Sequence, residues 1–425
     1  MAQTCLLSVL TQRGFVKQTT PDLGKALDQK PTIYFGCDAT APSLHVGNLM
    51  GLMAMRWASD LGHPIVILIG GGTTRIGDPS GKDATRTILS DDIIEKNIRG
   101  IRSSIEKIID PRCASVTFVN NASWLDQLKY TDFLRDMGIH FSMNRMIKLD
   151  SVQSRLKRDS HLSFTEFNYA VLQAYDFLEL HKNYNCSVQF GGSDQWGNIV
   201  SGVDLVRRVT GNAVHALTWP LLETASGVKM GKSASGAVWL NDDLLSPYQY
   251  WQFWRNVDDR DVVRFLKIFT VLPMDTIDSV ATLQGKDVCK AKILLADNAT
   301  ALLHGKSVLP AIHSAVQACG MGANDHGASD DVACLPCYVL TEQDRCQGIA
   351  VKDVLVALNA VASSSQARRK IREGAVKINQ ETVHNELYVI DASTFGRDHH
   401  LIVSLGRKQK FVVHKRTPSQ KGVQP

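Results

Sequence analysis

Five short polar segments in this 425-residue chain carry side chains that could do chemistry. The most informative lies between Glu166 and Leu178. At about 100° per residue, Tyr169, Gln173 and Asp176 fall within about 60° of one another on a helix. Phe167, Val171, Ala174 and Leu178 share the opposite side, and Ala170, Leu172, Tyr175 and Phe177 fill most of the remainder. A narrow polar stripe thus runs along a helix that is otherwise buried. Tyr, Gln and Asp without Lys or Arg make a poor solvated face. Unpaired buried polar groups cost about 1–3 kcal/mol each, so the stripe must meet partners. It reads as one wall of a pocket for a polar ligand.

The other four segments fit a phosphorylated ligand. Asp38-Ala-Thr40-Ala-Pro-Ser-Leu-His45-Val-Gly47-Asn48 joins the end of one strand to the start of a helix. A helix start with free N–H groups, a His and an Asn suits phosphate or ribose, and Gly47 lets a ligand lie close to the backbone. Gly70 to Lys82 is a glycine-rich loop after an apolar strand, with Asp78 as a candidate partner for an ammonium group. It is not a P-loop: Ile76 stands five residues before Gly81, and Asp83 follows Lys82 where Ser or Thr is needed. Gln189 to Asn198 follows another strand, and its Asp194 and Gln195 could hold hydroxyls or a polar head group. Lys229-Met-Gly-Lys232-Ser233 sits in a Gly/Ser-rich loop, which suits a polyphosphate that is gripped briefly and released. The set offers donors and cations rather than a nucleophilic triad.

These loops need a scaffold. Thr32 to Cys37, Pro64 to Gly70, Val116 to Val119 and Ser187 to Phe190 read as strands, and His45 to Leu61 as a helix. Pro64 to Gly70 is apolar at every position, which suits a parallel strand covered on both faces. Alternating strands and helices argue for an α/β, doubly wound parallel sheet, whose ligands sit at the carboxyl ends of the strands. From about Ser246 to Gly320 the pattern is helical, and Gly320 to Asp331 reads as a linker.

Composition excludes other classes. Apolar residues at 44% and charged residues at 21% are ordinary for a globular protein, so a mainly disordered, collagenous or coiled-coil chain is ruled out. No run of about 18 uncharged apolar residues supports a membrane span. The start lacks the marks of a secretory or organelle leader, and nine scattered cysteines read as reduced thiols, which points to the cytoplasm. Cys334, Cys337 and Cys346 lack a fourth ligand at regular spacing and read as unrelated cysteines. The net charge of +5 is uneven. Gln347 to Pro425 holds 13 Lys and Arg against 6 Asp and Glu, a net of +7, which points to a surface for a polyanion such as nucleic acid. Within it, Ser363 to Gly374 reads as a capped helix carrying Arg368, Arg369, Lys370 and Arg372, followed by a strand with Lys377. Those five cations are candidate phosphate contacts.

His45-Val-Gly-Asn48 and Lys229-Met-Gly-Lys-Ser233 resemble the HIGH and KMSKS signatures of class I aminoacyl-tRNA synthetases. Together with Tyr34, Asp38, the loop around Asp78, the Tyr169/Gln173/Asp176 stripe and Gly-Gly-Ser-Asp194-Gln195, they resemble the bacterial-type tyrosyl-tRNA synthetase family over nearly the whole chain. The tail is similar to the small RNA-binding domain first named in ribosomal protein S-four. The resemblance implies a Rossmann-like catalytic domain with a helical insertion over 1–225. A signature loop and helical anticodon-binding domain would span 226–325, a linker 326–346, and a small α+β RNA-binding module 347–425. It implies two-step joining of L-tyrosine to tRNA(Tyr) through tyrosyl-adenylate, with Mg²⁺ accompanying ATP and no protein-bound metal. Tyr34 and Asp176 would hold the phenol hydroxyl. Asp78, Tyr169 and Gln173 would hold the ammonium group, and Gln195 would lie near the carboxylate. Asp38, Thr40, Gly47, Asp194 and Ser233 would serve ATP. His45, Asn48, Lys229 and Lys232 would be the catalytic set on the phosphates. A homodimer is implied, with about Asp126 to Leu162 as its contact surface, and no membrane.

Two positions depart from the signatures. Asn48 replaces the second His of HIGH and keeps a side-chain donor, and Gly231 replaces the middle Ser of KMSKS, which is expected to loosen that loop. The nearest rival is a tryptophan enzyme of the same class, and a more distant one an RNA-binding protein on a synthetase scaffold. Ending the chain at about Gly348 is expected to spare adenylate formation, read as pyrophosphate exchange, and to weaken tRNA charging. Equal loss of both activities would instead indicate a misfolded remainder.

Overall fold

The computed structural model describes residues 5–80, 89–109, 115–159, 161–225, 227, 230–233, 236–320, 337–358, 360, 361, 363–391, 393–395, 400–406 and 409–415. Its helices in chain order begin with α1 (Leu6–Gln12), α2 (Leu23–Leu27), α3 (Val46–Asp60), α4 (Gly71–Thr74) and α5 (Asp91–Glu106). They continue with α6 (Ala122–Leu125), α7 (Tyr130–Asp136), α8 (Met143–Met146), α9 (Asp150–Lys157), α10 (Phe164–Tyr184) and α11 (Trp196–Thr210). The helical stretch expected after Ser246 forms α12 (Pro247–Arg255), α13 (Val262–Phe269), α14 (Met274–Ala281), α15 (Val288–His304) and α16 (Leu309–Gly320). The tail adds α17 (Glu342–Gln347), α18 (Val351–Ala357) and α19 (Ser364–Arg372). By contacts the chain forms two compact units, Met1–Met230 with Val257–Leu295, and Gly231–Asn256 with Ala296–Pro425.

The first unit is built on a six-stranded sheet. Its strands are β1 (Gln18–Thr19), β2 (Thr32–Asp38), β3 (Ile65–Gly70), β4 (Val116–Asn120), β5 (Cys186–Gly192) and β6 (His215–Trp219), in the order β1-β6-β5-β2-β3-β4. All neighbours run parallel except β1, which is antiparallel to β6. Every residue of β3 is buried, as its unbroken apolar run requires. Strand order proceeds outward in opposite directions from β2 and β5. Their carboxyl ends therefore flank a topological switch point, where ligands of such sheets bind.

The helices around that point are held by specific contacts. The guanidinium of Arg13 donates to the carbonyls of Lys267, Thr270 and Leu272 and stacks over Trp57 at 4.2 Å, joining α1 and α3 to the end of α13. One face of α5 clamps the loop ahead of α3. Asn97 donates to the Ala39 carbonyl at 2.8 Å, and the Ser104 hydroxyl meets the Leu44 amide at 3.3 Å. Between them Gly100 lies so close to the Pro42 carbonyl that any Cβ would overlap it.

In the second unit, β7 (Lys232–Ser233) pairs with β8 (Gly236–Ala237). The tail contributes β9 (Cys337–Val339), β10 (Ile349–Ala350), β11 (Val376–Ile378), β12 (Glu381–Thr382), β13 (Val389–Ile390), β14 (His400–Leu405) and β15 (Gln409–His414). Five of them form a sheet in the order β12-β11-β14-β15-β9, while β10 and β13 form a separate pair. A core of Val354, Leu355, Ile371, Val376, Leu401 and Val413 packs the helices on the larger sheet. β9 and all but the last residue of α17 fall inside the segment expected as linker. The turn signals there are weak, and β9 is an edge strand whose pairing with β15 is set by residues more than seventy positions away.

Candidate active site

α10 carries the expected stripe. Ser163 caps it, accepting from the Glu166 amide, and Asn185 in a left-handed conformation ends it. Tyr169 and Asp176 are buried on this helix and Gln173 is partly buried. The Asp176 carboxylate accepts from Trp124 Nε1 at 2.8 Å and from Asn121 Nδ2 at 3.0 Å. Burial pushes its carboxyl up to about 7, against the pull of those two hydrogen bonds.

Tyr34 approaches from β2. It is 1% exposed, and its ring meets Phe177 edge-on at 5.0 Å. Its hydroxyl has no hydrogen-bond partner among the described residues. Burial, and then the nearby charge of Asp176, push the phenol well above its ordinary value. In the neighbouring strand, Gln189 stands in register with Tyr34, and its Oε1 is likewise buried without a partner among the described residues. Two orphaned buried polar atoms on adjacent strands are costly unless a ligand completes them, at about 1–3 kcal/mol each.

Two networks hold the remaining polar groups. In the first, Asp38 at the end of β2 accepts from Thr73 at 2.9 Å and from the Tyr169 hydroxyl at 3.1 Å, and Asn121 also donates to Thr73 at 2.9 Å. Gly70 is required here, because a Cβ would lie 2.5 Å from the Asp38 carboxylate. In the second, Gln195 donates to Asp78 at 2.8 Å, while Asn198 donates to Gln173 at 3.0 Å and to Gln195 at 3.3 Å. Asp78 also accepts from the Ser80 amide at 2.9 Å. Asp194 stands beside Gly192, where a Cβ would lie 2.5 Å from its carboxylate.

His45 is the N-cap of α3. Its Nδ1 accepts from the Gly47 amide at 3.0 Å, which leaves the ring proton of the neutral imidazole on Nε2, the tautomer that donates to an anion. Asn48 departs from the family signature yet has a local role: its side-chain oxygen accepts from the His45 amide at 3.2 Å, completing a capping box. A Cβ at Gly47 would lie 2.9 Å from both His45 Nδ1 and the Met230 carbonyl. Thr40 is exposed in the loop before this helix.

Some sequence expectations change. The segment read as a glycine-rich loop after Gly70 starts as the helical turn α4, whose amides are held by Asn120 and Asn121. Gly231 has φ +111°, a conformation that serine rarely adopts. The residue therefore supplies a particular turn and does not merely loosen the loop. Lys229 lies outside the described residues, as do Gly81 and Lys82. Lys232 and Ser233 form β7 in the other unit. Of the tail cations, Lys370 pairs with Glu373 at 2.7 Å, Arg369 with the same Glu373 at 3.6 Å and Arg372 with Glu386 at 2.7 Å, and Arg368, Arg369, Arg372 and Lys377 are exposed. Cys337 is an exposed free thiol.

Sequence reasoning missed Thr73, Asn121, Trp124, Gln189 and Asn198. A signal existed for each: Thr73, Gln189 and Asn198 lie in segments singled out for their glycines and polar groups, and Asn121 and Trp124 directly follow the strand expected at Val116 to Val119.

Comparison with known proteins identifies the family. The family model described as tRNA synthetases class I (W and Y) matches residues 25–319, and that of the tyrosine–tRNA ligase SYY-like C-terminal domain matches residues 335–413. The chain is 46% identical over 414 residues to a tyrosine–tRNA ligase of Cereibacter sphaeroides, covering 96% of this chain and 97% of the other. It is 47% identical over 411 residues to one of Xanthobacter autotrophicus, with coverage of 96% and 97%. Among solved structures, a C-terminally truncated mitochondrial tyrosyl-tRNA synthetase of Aspergillus nidulans is similar at 30% identity and a TM-score of 0.66. That match covers 74% of this chain and 94% of the other.

The raised carboxyl of Asp176 has a signed consequence for stability. Its pKa is about 7 when folded, above its unfolded value. The stability it contributes is complete below about pH 4 and is lost as pH rises through about 7. Asp176→Asn never ionises, so it should gain stability relative to the parent between about pH 5 and about pH 8, by at most a few kcal/mol. Ligand-free melting temperatures of both proteins across that range measure this. A gap that does not move with pH would mean that the carboxyl ionises normally.

Proposed function

This chain belongs to the class I tRNA synthetases of the tryptophan and tyrosine family, and on that premise we propose how its residues carry out the reaction. It is an aminoacyl-tRNA synthetase, and its activity is ligation of tyrosine to tRNA. The observation that supports our reading of the site is the Tyr34 hydroxyl, buried without a partner among the described residues and within reach of the Asp176 charge. A substrate phenol would satisfy it and donate to Asp176. A site built to bond a hydroxyl strongly rejects the analogue lacking it, as is known for tyrosine enzymes of this kind. Tryptophan has no hydroxyl to offer there.

In this reading Asp78, Tyr169 and Gln173 hold the α-ammonium group and Gln195 lies near the carboxylate. Asp38, Thr40, Gly47 and Asp194 serve the ATP, with Asp194 at the ribose. The tyrosine carboxylate attacks the α-phosphorus, pyrophosphate departs, and a hydroxyl of the tRNA 3′-terminal ribose then takes the tyrosyl group from the adenylate, releasing AMP. His45, the α3 amides and Asn48 stabilise charge on the phosphates, while Lys229, Lys232 and Ser233 grip the leaving pyrophosphate. Catalysis is positioning plus charge stabilisation, which requires no covalent enzyme intermediate. Mg²⁺ arrives on the ATP phosphates as part of the substrate.

We divide the chain into a catalytic domain over 1–225, a signature loop with a helical anticodon-binding domain over 226–325, and a basic RNA-binding module. The pairing of β9 with β15 supports starting that module at Cys337 rather than at 347. Arg368, Arg369, Lys370, Arg372 and Lys377 contact tRNA(Tyr) in this reading. The enzyme is read as cytoplasmic, and no helix among the described residues is long and apolar enough to cross a membrane. A homodimer is supported by large apolar side chains left in solvent: Ile139 is 76% exposed, Phe164 70% and Tyr130 64%.

Two outcomes follow. Tyr34→Phe and Asp176→Ala should both lower tyrosine-dependent pyrophosphate exchange and narrow the preference for tyrosine over phenylalanine, and assays with each amino acid read this directly. Unchanged selectivity in both variants would refute their role. Ile139→Asp should halve the mass in sedimentation equilibrium, and a mass equal to the parent's would remove this face as the dimer contact.

A further inference from the structure

The basic module holds a hollow that no step of the reaction uses. It has a volume of about 280 Å³ and opens between the end of α19, the turn after it, and the junction of β14 with β15. Ala360, Val361, Ala375 and Leu405 give it an aliphatic part of its lining. Gln366 and Gln409 line it with carboxamides, and Lys370 with an ammonium group. No acidic side chain is among its lining residues. The backbone around it is fixed: the Ala375 amide donates to the Lys370 carbonyl at 3.0 Å, and the Gly406 amide to the Ala375 carbonyl at 2.7 Å.

We propose that this hollow receives one unstacked nucleobase of the bound tRNA, read along its edge by Gln366 and Gln409 while Lys370 faces the adjoining phosphate. The proposal rests on the reading of this module as the RNA-binding part and deepens it. Aliphatic lining accepts the face of a planar heterocycle. Carboxamides present a donor and an acceptor together, which matches the paired edge groups of a base. Sequence-selective proteins reach RNA bases chiefly where they are splayed out of a helix. An ammonium has three donors, of which the 2.7 Å bond to Glu373 uses one. The net +7 of residues 347–425 brings a polyanion to the spot but cannot distinguish one sequence from another. The hollow would supply that distinction.

The test uses the full-length enzyme with tRNA(Tyr). Gln409 is exposed, so Gln409→Ala leaves packing intact, and Ala375→Phe fills the hollow. Each should weaken tRNA binding by roughly 5- to 150-fold. Base-modification interference mapping should show one nucleotide whose alteration blocks binding to the parent and ceases to matter in both variants. Pyrophosphate exchange, read in parallel, reports whether the rest of the enzyme is folded. Parental affinity in Gln409→Ala overturns the proposal, and so does weaker binding with an unchanged interference map. A double variant, Arg368→Ala with Arg369→Ala, separates the two levels. If it weakens binding and flattens the salt dependence while Gln409→Ala does nothing, only the base pocket falls. If it too binds like the parent, the RNA-binding reading of the module falls with it.

Discussion

The carboxylate of Asp176, buried and held by Asn121 and Trp124, is the constraint that organises the catalytic unit. A carboxyl removed from water favours its neutral form, and two charge-assisted hydrogen bonds oppose that preference. Burial prevails over those bonds and leaves the carboxyl raised to about 7. Holding it requires two distant parts of the chain: α10 for the acid, and the N-cap and body of α6 after β4 for the two donors. Tyr34 completes the arrangement from β2, with its hydroxyl unsatisfied among the described residues. The fold thus keeps an incomplete hydrogen-bond set at the switch point of its sheet, which a substrate phenol completes in the proposed reading.

Close backbone approach is the second condition. Gly70 makes room for the Asp38 carboxylate, Gly192 for that of Asp194, and Gly100 for the loop leading to His45. Each glycine removes a side chain so that a functional group can stand where a Cβ would. The capping box of His45 and Asn48 uses the same economy of space at the start of α3. Because Nδ1 accepts from the Gly47 amide, the orientation of the imidazole is set by the helix start itself. Asn48 thereby accounts for a departure from the family signature: an amide oxygen caps the helix without adding a charge.

Much of the sheet was legible because its strands are continuous apolar runs. Ile65 to Gly70 could be nothing else, and the expected strands at Thr32, Val116 and Ser187 differ from the observed ones by a residue or two. The stripe of Tyr169, Gln173 and Asp176 was legible because helical geometry turns spacing into direction. Short elements were not. β1 and β6 carry no decisive alternation, and α4 hides in three glycines and two threonines whose helical turn depends on Asn120 and Asn121.

The sequence by itself determined the class of fold, the polar stripe, the signature segments and the basic tail, since these are set by periodicity, composition and neighbours a few residues apart. It could not determine which polar residues meet. Asp38 joins Tyr169 across 131 positions, Gln195 joins Asp78 across 117, and Asn121 joins Asp176 across 55. Such pairs exist only once the sheet has closed, because loop closure and burial rather than local preference select each buried donor's acceptor. The tertiary structure alone therefore decided that Asn121 and Trp124 meet Asp176, and that Asp78 and Gln195 form part of one network.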